Sequence, residues 1–167
     1  MIHTFLRTLI IIGIFFNFGI PATQAYFTTN QEAILLPQSH TGLFLIEYSF
    51  GMNSKEVFLP ITAKYSDEKR TDMVSYAMVD EDGVKVAGKT TGMVLSNAAI
   101  RPEGMYATPK STAKKFTLAV FFTPETYDAN KKYRLQVTYL PFNFDGTQQL
   151  QLNPSELIYY TTKPISL

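Results

Sequence analysis

Apolar residues alternate with polar ones in short bursts along most of this chain, and Gly, Pro, Asn, Asp and Ser separate the bursts. From residue 42 to residue 50, the alternate positions Phe44, Ile46, Tyr48 and Phe50 are all large and apolar. Successive side chains of an extended strand point to opposite faces, so these residues share one face. No long stretch after residue 25 holds the 3.6-residue apolar period of an amphipathic helix. The pattern therefore predicts an all-β chain.

Alternation of the same kind predicts further strands at 57–65, 73–80, 84–86, 116–123, 133–140 and 157–162, together with one at 33–36. Asp82-Gly83 is a strong hairpin signal, because both residues tolerate the positive φ of a tight turn. Pro60 has no backbone N–H for a ladder, so we expect its strand to lie at an edge or to contain a bulge. Residues 96–115 are rich in turn residues and are expected to be irregular. Seven or eight short strands at this spacing predict a single antiparallel β-sandwich.

The segment 116–140 combines an aliphatic strand, a turn-rich connection and a Tyr-x-Leu-x-Val strand that begins at Tyr133. In this respect it resembles the last strands of an immunoglobulin-like domain. The resemblance implies an immunoglobulin-like sandwich, with Tyr133 near the position of that fold's tyrosine corner. The chain contains no Cys and no Trp, so it lacks the hallmarks of antibody-type domains.

The first 25 residues have the three-part layout of a secretory signal peptide. Arg7 supplies a positive charge, residues 9–20 are almost all apolar, and Pro21 interrupts the apolar run. In the segment Ala22-Thr23-Gln24-Ala25, Thr23 and Ala25 then provide small residues at the −3 and −1 positions of a cleavage site. The layout predicts export to the periplasm, the cell surface or the medium.

Cleavage is expected between Ala25 and Tyr26, which leaves 142 residues of the 167 as one domain at 26–167. An uncleaved membrane anchor is the alternative. A membrane-spanning helix needs about 20 apolar residues, and this run is shorter and contains Asn17. We therefore predict no integral membrane span in the mature chain. The absence of Cys in an exported domain favours a bacterial source.

Candidate catalytic chemistry is sparse after residue 25. His40 is the only histidine there, and no Gly-x-Ser-x-Gly motif occurs in the chain, so a Ser-His-Asp arrangement is not expected. One His without any Cys cannot build a conventional zinc site. The acidic run Asp80-Glu81-Asp82 could offer oxygens to calcium, but a solvated hairpin tip is the favoured interpretation. We predict no catalytic residue, no metal and no cofactor.

Charge does not indicate a nucleic-acid partner. Removal of Arg7 with the leader leaves 14 basic residues against 14 acidic ones. The basic clusters at 110–115 and 131–134 each begin a predicted strand, and two antiparallel strands begin at opposite ends of a sheet. The clusters are therefore not expected to merge into one basic stripe of the kind that binds nucleic acid.

Aromatic residues provide the candidate contact surface. Two adjacent residues of a strand cannot both face one core, so Phe121-Phe122 and Tyr159-Tyr160 should each send one ring outward. Phe142 and Phe144 lie in a third aromatic segment. Exposed rings can bind sugars or a partner protein; burial under loops or an extra strand is the alternative. The predicted contact residues are Phe142, Phe144, Tyr159 and Tyr160.

These observations favour an exported, non-catalytic β-sandwich that acts as a binding or structural module in the cell envelope or at the surface, with an envelope protein or a glycan as its partner. One alternative is a carbohydrate-active enzyme that uses a pair of carboxylates. Another is a fimbrial-type subunit completed by a donor strand from its neighbour. A closed sandwich with outward rings would favour the binding module, whereas an open apolar groove would favour the fimbrial subunit.

Overall fold

The computed structural model of this protein describes residues 29–36, 39–52, 55–144, 148–152 and 154–167. The predicted leader and its cleavage site lie outside these residues. The described part is mostly β-strand, which confirms the all-β prediction. Its strands are β1 (Thr29–Leu35), β2 (Gly42–Phe50), β3 (Val57–Pro60), β4 (Thr62–Tyr65), β5 (Met73–Asp80), β6 (Gly88–Ser96), β7 (Ala99–Arg101), β8 (Met105–Thr108), β9 (Lys114–Pro124), β10 (Lys132–Tyr139), β11 (Pro141–Phe144), β12 (Gln148–Gln151) and β13 (Ile165–Ser166), and one helical turn, α1 (Pro154–Leu157), precedes β13.

The strands belong to two sheets. The larger sheet has eight strands in the order β1-β2-β9-β6-β4-β5-β10-β13, and the smaller has five in the order β12-β11-β3-β8-β7. The two end strands of the larger sheet, β1 and β13, contact each other, so this sheet is a nearly closed barrel. This strand order does not establish an immunoglobulin-like arrangement, which stays a prediction.

The expectation of purely antiparallel pairing is wrong at one place in the larger sheet. Strands β4 and β5 run parallel, with Ala63 opposite Val74. Only seven residues connect them, whereas a parallel crossover usually takes a dozen or more. The hydroxyl of Ser75 on β5 donates to the backbone carbonyl of Glu68 in this connection, at 2.6 Å. The short loop therefore lies against β5, and residues 73–79 are buried on both faces of that strand.

The strand predicted at 57–65 is divided between the two sheets. Pro60 ends β3 opposite Met105, and β4 begins at Thr62 in the larger sheet. Between them, the N–H of Ile61 donates to the carbonyl of Gly104 at 3.3 Å, and the carbonyl of Ile61 accepts from the N–H of Val94 at 3.2 Å. The edge position expected for this strand is wrong, since β3 lies between β11 and β8. The missing N–H of Pro60 is accommodated because the chain changes sheets there.

Three further expectations need correction. Residues 157–162 do not form a strand: α1 ends at Leu157, and Thr161 makes only an isolated bridge to Gln136. Within 96–115, strands β7 and β8 form a hairpin instead of irregular structure. The turn predicted at Asp82-Gly83 is confirmed, because Gly83 has φ 83° and Val79 bridges Lys85 across it. The strand predicted at 84–86 is wrong, since this isolated bridge is its only ladder contact and the next strand begins at Gly88.

The core lies between the two sheets and inside the curve of the larger one. In the strands predicted at 116–123 and 133–140, the alternate residues Leu118, Val120, Leu135 and Val137 are all buried, although β9 and β10 are not neighbours. Close packing also explains Gly92 on β6, where an added Cβ would lie 2.5 Å from the ring of Tyr76. The remaining large core side chains alternate along their strands in the same way: Phe44, Ile46, Tyr48, Phe50, Leu59, Tyr76, Met78, Phe116, Phe122 and Tyr133.

Candidate functional site

The pair Tyr159-Tyr160 sends one ring outward, as predicted. Tyr159 is 42% exposed and Tyr160 is 2% exposed. The Tyr160 ring packs edge-on against Tyr48 with 5.6 Å between centroids. The hydroxyls of Tyr48 and Tyr160 have no hydrogen-bond partner among the described residues, and burial raises the pKa of both phenols. Tyr160 is therefore a core residue, and Tyr159 is the member of this pair that a partner can reach.

Phe142 and Phe144 are buried, so the expectation that they present exposed rings is wrong. They occupy alternate positions of β11, and the face they share is turned toward the core. The Phe142 ring lies 4.8 Å from Phe50 of β2 and 5.7 Å from Phe144, measured between centroids. The smaller sheet thus uses these rings to pack against the larger sheet.

The second predicted pair leads to a surface that extends over several strands. Phe122 is buried, whereas Phe121 projects from the outer face of β9. In the neighbouring strands, Leu43 of β2 is paired with Phe121, and Ile34 of β1 is paired with Leu43. Paired residues of antiparallel strands share a face, so the three side chains form one row across the sheet.

The next rows on the same outer face are also apolar. Leu45 of β2 is paired with Ala119 of β9, which is paired with Met93 of β6. Leu95 lies one step further along β6, beside Thr117. Four of these side chains, Ile34, Met93, Leu95 and Phe121, are 37–49% exposed. We define the apolar face as Ile34, Leu43, Leu45, Met93, Leu95, Ala119 and Phe121.

The size of the apolar face follows from sheet geometry. It crosses three strand spacings, about 14 Å, and extends over four residues of strand length, about 13 Å. Scattered exposed apolar residues are normal on any protein, but a contiguous group with a polar border marks an interaction site. The register places these residues next to one another, so the apolar face is a candidate contact surface.

Charged residues border the apolar face on two opposite sides. On the β1–β2 side, Glu32 is opposite Leu45 and Glu47 is opposite Thr117. On the other side, Lys89 lies on the same outer face of β6 as Met93, four residues earlier in the strand. Lys64 lies on the outer face of β4, because its chain neighbour Ala63 is buried on the inner face. All four charged side chains are exposed, and none forms an ion pair with another described residue.

Much of this surface was not anticipated from the sequence. Alternation predicts one outward ring from Phe121-Phe122, but it does not connect that ring with Leu43, Leu45, Met93 or Leu95, which come from other strands. The signal in the sequence is a run of consecutive apolar residues, at 43–46 and again at 93–95. A strand that is apolar in both phases has two apolar faces, and only one of them can face the core of this fold.

Other polar groups have local structural roles. His40 is exposed and stacks on Tyr127 with 3.8 Å between ring centroids. Asp80 accepts hydrogen bonds from the backbone N–H groups of Asp82 (3.1 Å) and Val84 (2.8 Å), which stabilises the hairpin turn. The described residues contain no group of three or more His, Cys, Asp and Glu that could hold a metal ion. No helix in the described part has the length and hydrophobicity to cross a bilayer.

No protein-family model, curated protein or solved structure matches this chain.

Proposed function

We propose that the chain is an exported, non-catalytic binding module of the cell envelope or surface, built as an immunoglobulin-like sandwich, and that the apolar face is its contact surface. One observation supports this most directly: seven apolar side chains adjoin one another on the outer face of four neighbouring strands. Tyr159 is a second contact residue in this proposal, since its ring is exposed.

Burial of the apolar face contributes a part of the free energy that specific binding needs. Complete burial of a Leu, Ile, Met or Phe side chain contributes about 1.5–3 kcal/mol, so burial of the exposed part of each contributes roughly 1 kcal/mol. Several such side chains together offset the loss of translational and rotational freedom on association only in part. We therefore expect moderate affinity, with the charged borders selecting the partner.

The fimbrial and enzymatic alternatives have less support. A donor-strand subunit needs an open groove, whereas β1 and β13 at the two ends of the larger sheet contact each other. A carbohydrate-active enzyme needs two carboxylates on either side of a glycosidic bond. Asp67 and Glu56 instead form ion pairs with Lys85 and Arg101 on the surface. The most prominent feature of the described surface is the apolar face, which contains no carboxylate.

Site-specific photo-crosslinking in the native cells tests the proposal. A photoreactive amino acid replaces Met93 at the centre of the apolar face, and in a matched variant it replaces Lys131, which is exposed and precedes β10 on a distant part of the larger sheet. We expect discrete protein adducts from position 93 and not from position 131. Adduct yields at position 93 no higher than those at position 131 would contradict the proposal.

A further inference from the structure

We propose that Met93 is a site of reversible oxidation, at which hydrogen peroxide converts the thioether to a sulfoxide and thereby makes the apolar face less apolar. The oxidation itself is independent of the proposed function. Its effect on partner binding rests on the proposed function, because it concerns the same surface. Three features of the described residues support the assignment: the exposure of Met93, its small neighbours and its place among the apolar side chains.

The methionine thioethers are the only sulfur groups of this chain, because it contains no Cys. An oxidant therefore meets no thiolate with which it would react first. Five of the six methionines lie among the described residues. Met93 is 40% exposed, whereas Met52, Met73 and Met78 are at most 7% exposed and Met105 is partly buried. Met93 is thus the most exposed methionine in the described part of the chain.

The neighbours of Met93 in the sheet leave its side chain open to solvent. It is paired with Ala119 of β9 on one side and with Thr62 of β4 on the other. Paired residues share a face of the sheet, and both of these side chains are shorter than methionine. Val94, the next residue of β6, is buried on the inner face. An oxidant can therefore approach the thioether of Met93 without any strand leaving the sheet.

The reaction needs only the thioether and the peroxide. A lone pair of the sulfur attacks one peroxide oxygen, and the O–O bond breaks. The oxygen that stays on the sulfur gives its proton to the departing hydroxide, which leaves as water. The sulfur loses two electrons and the peroxide gains two. In the reverse step a dithiol reductase returns the thioether, with the dithiol oxidised to a disulfide and the sulfoxide oxygen released as water.

A sulfoxide at position 93 opposes burial of the apolar face. Its S–O group is a polar hydrogen-bond acceptor, and its removal from water without a donor costs free energy. Met93 belongs to the row that contains Leu45 and Ala119, and Leu95 follows two residues later on the same face. A partner that covers this row also covers Met93. Oxidation should therefore weaken partner binding, while the core on the other face of the sheet stays unchanged.

Peptide mapping by mass spectrometry of the purified protein in dilute hydrogen peroxide tests the oxidation site. We expect Met93 to be oxidised at least fivefold faster than Met52, Met73 or Met78, with Met105 between them. The same protein unfolded in guanidinium is the control for intrinsic reactivity, and there the methionines should react at similar rates. A smaller excess for Met93 in the folded protein, or a rate at Met105 equal to that at Met93, overturns the assignment.

Hydrophobic-interaction chromatography measures the effect on the apolar face without any partner. The oxidised wild type should elute earlier than the reduced protein, and methionine sulfoxide reductases of both stereospecificities should restore its retention. Met93→Leu is the matched variant, because it keeps an apolar side chain that peroxide does not oxidise. Its retention should be the same before and after peroxide. No change for the wild type, or an equal change for Met93→Leu, overturns the effect on the apolar face.

Crosslinking in the native cells separates this inference from the proposed function. A photoreactive amino acid replaces Leu95, and position 93 carries Met, Leu or Gln, the last as a polar side chain of similar size. Adduct yield should be retained with Met93→Leu and should fall at least fivefold with Met93→Gln. Specific but equal yields for these two variants would leave the proposed function standing and overturn the effect of oxidation on binding. If position 95 gives no specific adduct with Met at position 93, the proposed function is wrong, and peptide mapping alone decides the oxidation site.

Discussion

Leu43 and Phe121 are paired directly across strands β2 and β9, and both project from the outer face of the larger sheet. Their chain neighbours, Phe44 and Phe122, are buried in the core on the other face. These two strands are therefore apolar on both faces, although the described chain packs against only one of them. The unpaired outer face is the basis of the functional proposal.

The inward face of β10 provides a test of register. Leu135→Ala should lower the free energy of unfolding by about 2–5 kcal/mol, because the side chain is fully buried. Gln136→Ala, on the opposite face of the same strand, should change it by about 0.5 kcal/mol or less. Denaturant titration measures both. Equal effects would mean that the strand is shifted by one residue, which exchanges its two faces.

The adjacent tyrosines should respond very differently to truncation. Tyr160→Ala removes a buried ring and should destabilise the protein by about 3–5 kcal/mol. Tyr159→Ala removes an exposed ring and should change stability by about 0.5 kcal/mol while it weakens partner capture. Thermal unfolding and crosslinking yield distinguish the two effects. Equal destabilisation by the two substitutions would contradict the assignment of Tyr159 to the surface.

Buried phenols predict a loss of stability in alkali. Burial raises the pKa of Tyr48 and Tyr160 above the ordinary value near 10. Above pH 10 the unfolded chain releases these protons while the folded chain retains them, so stability is complete below pH 10 and falls as the pH rises toward the folded-state pKa values. Each tyrosine contributes a slope of up to about 1.4 kcal/mol per pH unit.

The control for this prediction is Tyr160→Phe, which removes one of the two titrating groups. Its hydroxyl has no hydrogen-bond partner among the described residues, so the substitution should be close to neutral at pH 7. Chemical denaturation between pH 9 and pH 11.5 should give a shallower decline for the variant than for the wild type. Identical declines would show that Tyr160 does not contribute to the alkaline loss.

Export predicts a defined mature terminus. The arrangement of Arg7, the apolar run at 9–20 and the small residues Thr23 and Ala25 leads us to expect cleavage before Tyr26. N-terminal sequencing of the exported protein should begin at Tyr26. Recovery of a membrane-embedded form that retains Met1 would contradict this prediction.

Sequence periodicity was sufficient for the strands whose alternate residues face one core, such as 44–50, 116–122 and 133–139. It was not sufficient for features that depend on which strands become neighbours. Strands β4 and β5 are joined by a short polar connection that looks in the sequence like an ordinary turn, so their parallel pairing could not be predicted. The change of sheet at Pro60 has only the missing N–H of that residue as its signal in the sequence. The apolar face was missed for the same reason, since its residues come from four strands that are distant in sequence.

The absence of Cys makes a single introduced cysteine a clean probe of the apolar face. Maleimide labelling of Met93→Cys is compared between the purified protein at about 1 μM and cells made permeable to the reagent, with Lys131→Cys as the matched control. If the apolar face is occupied in cells, position 93 should label at least fivefold more slowly there than in the dilute protein, whereas position 131 should label equally in both. Equal labelling of position 93 in the two settings would contradict the account.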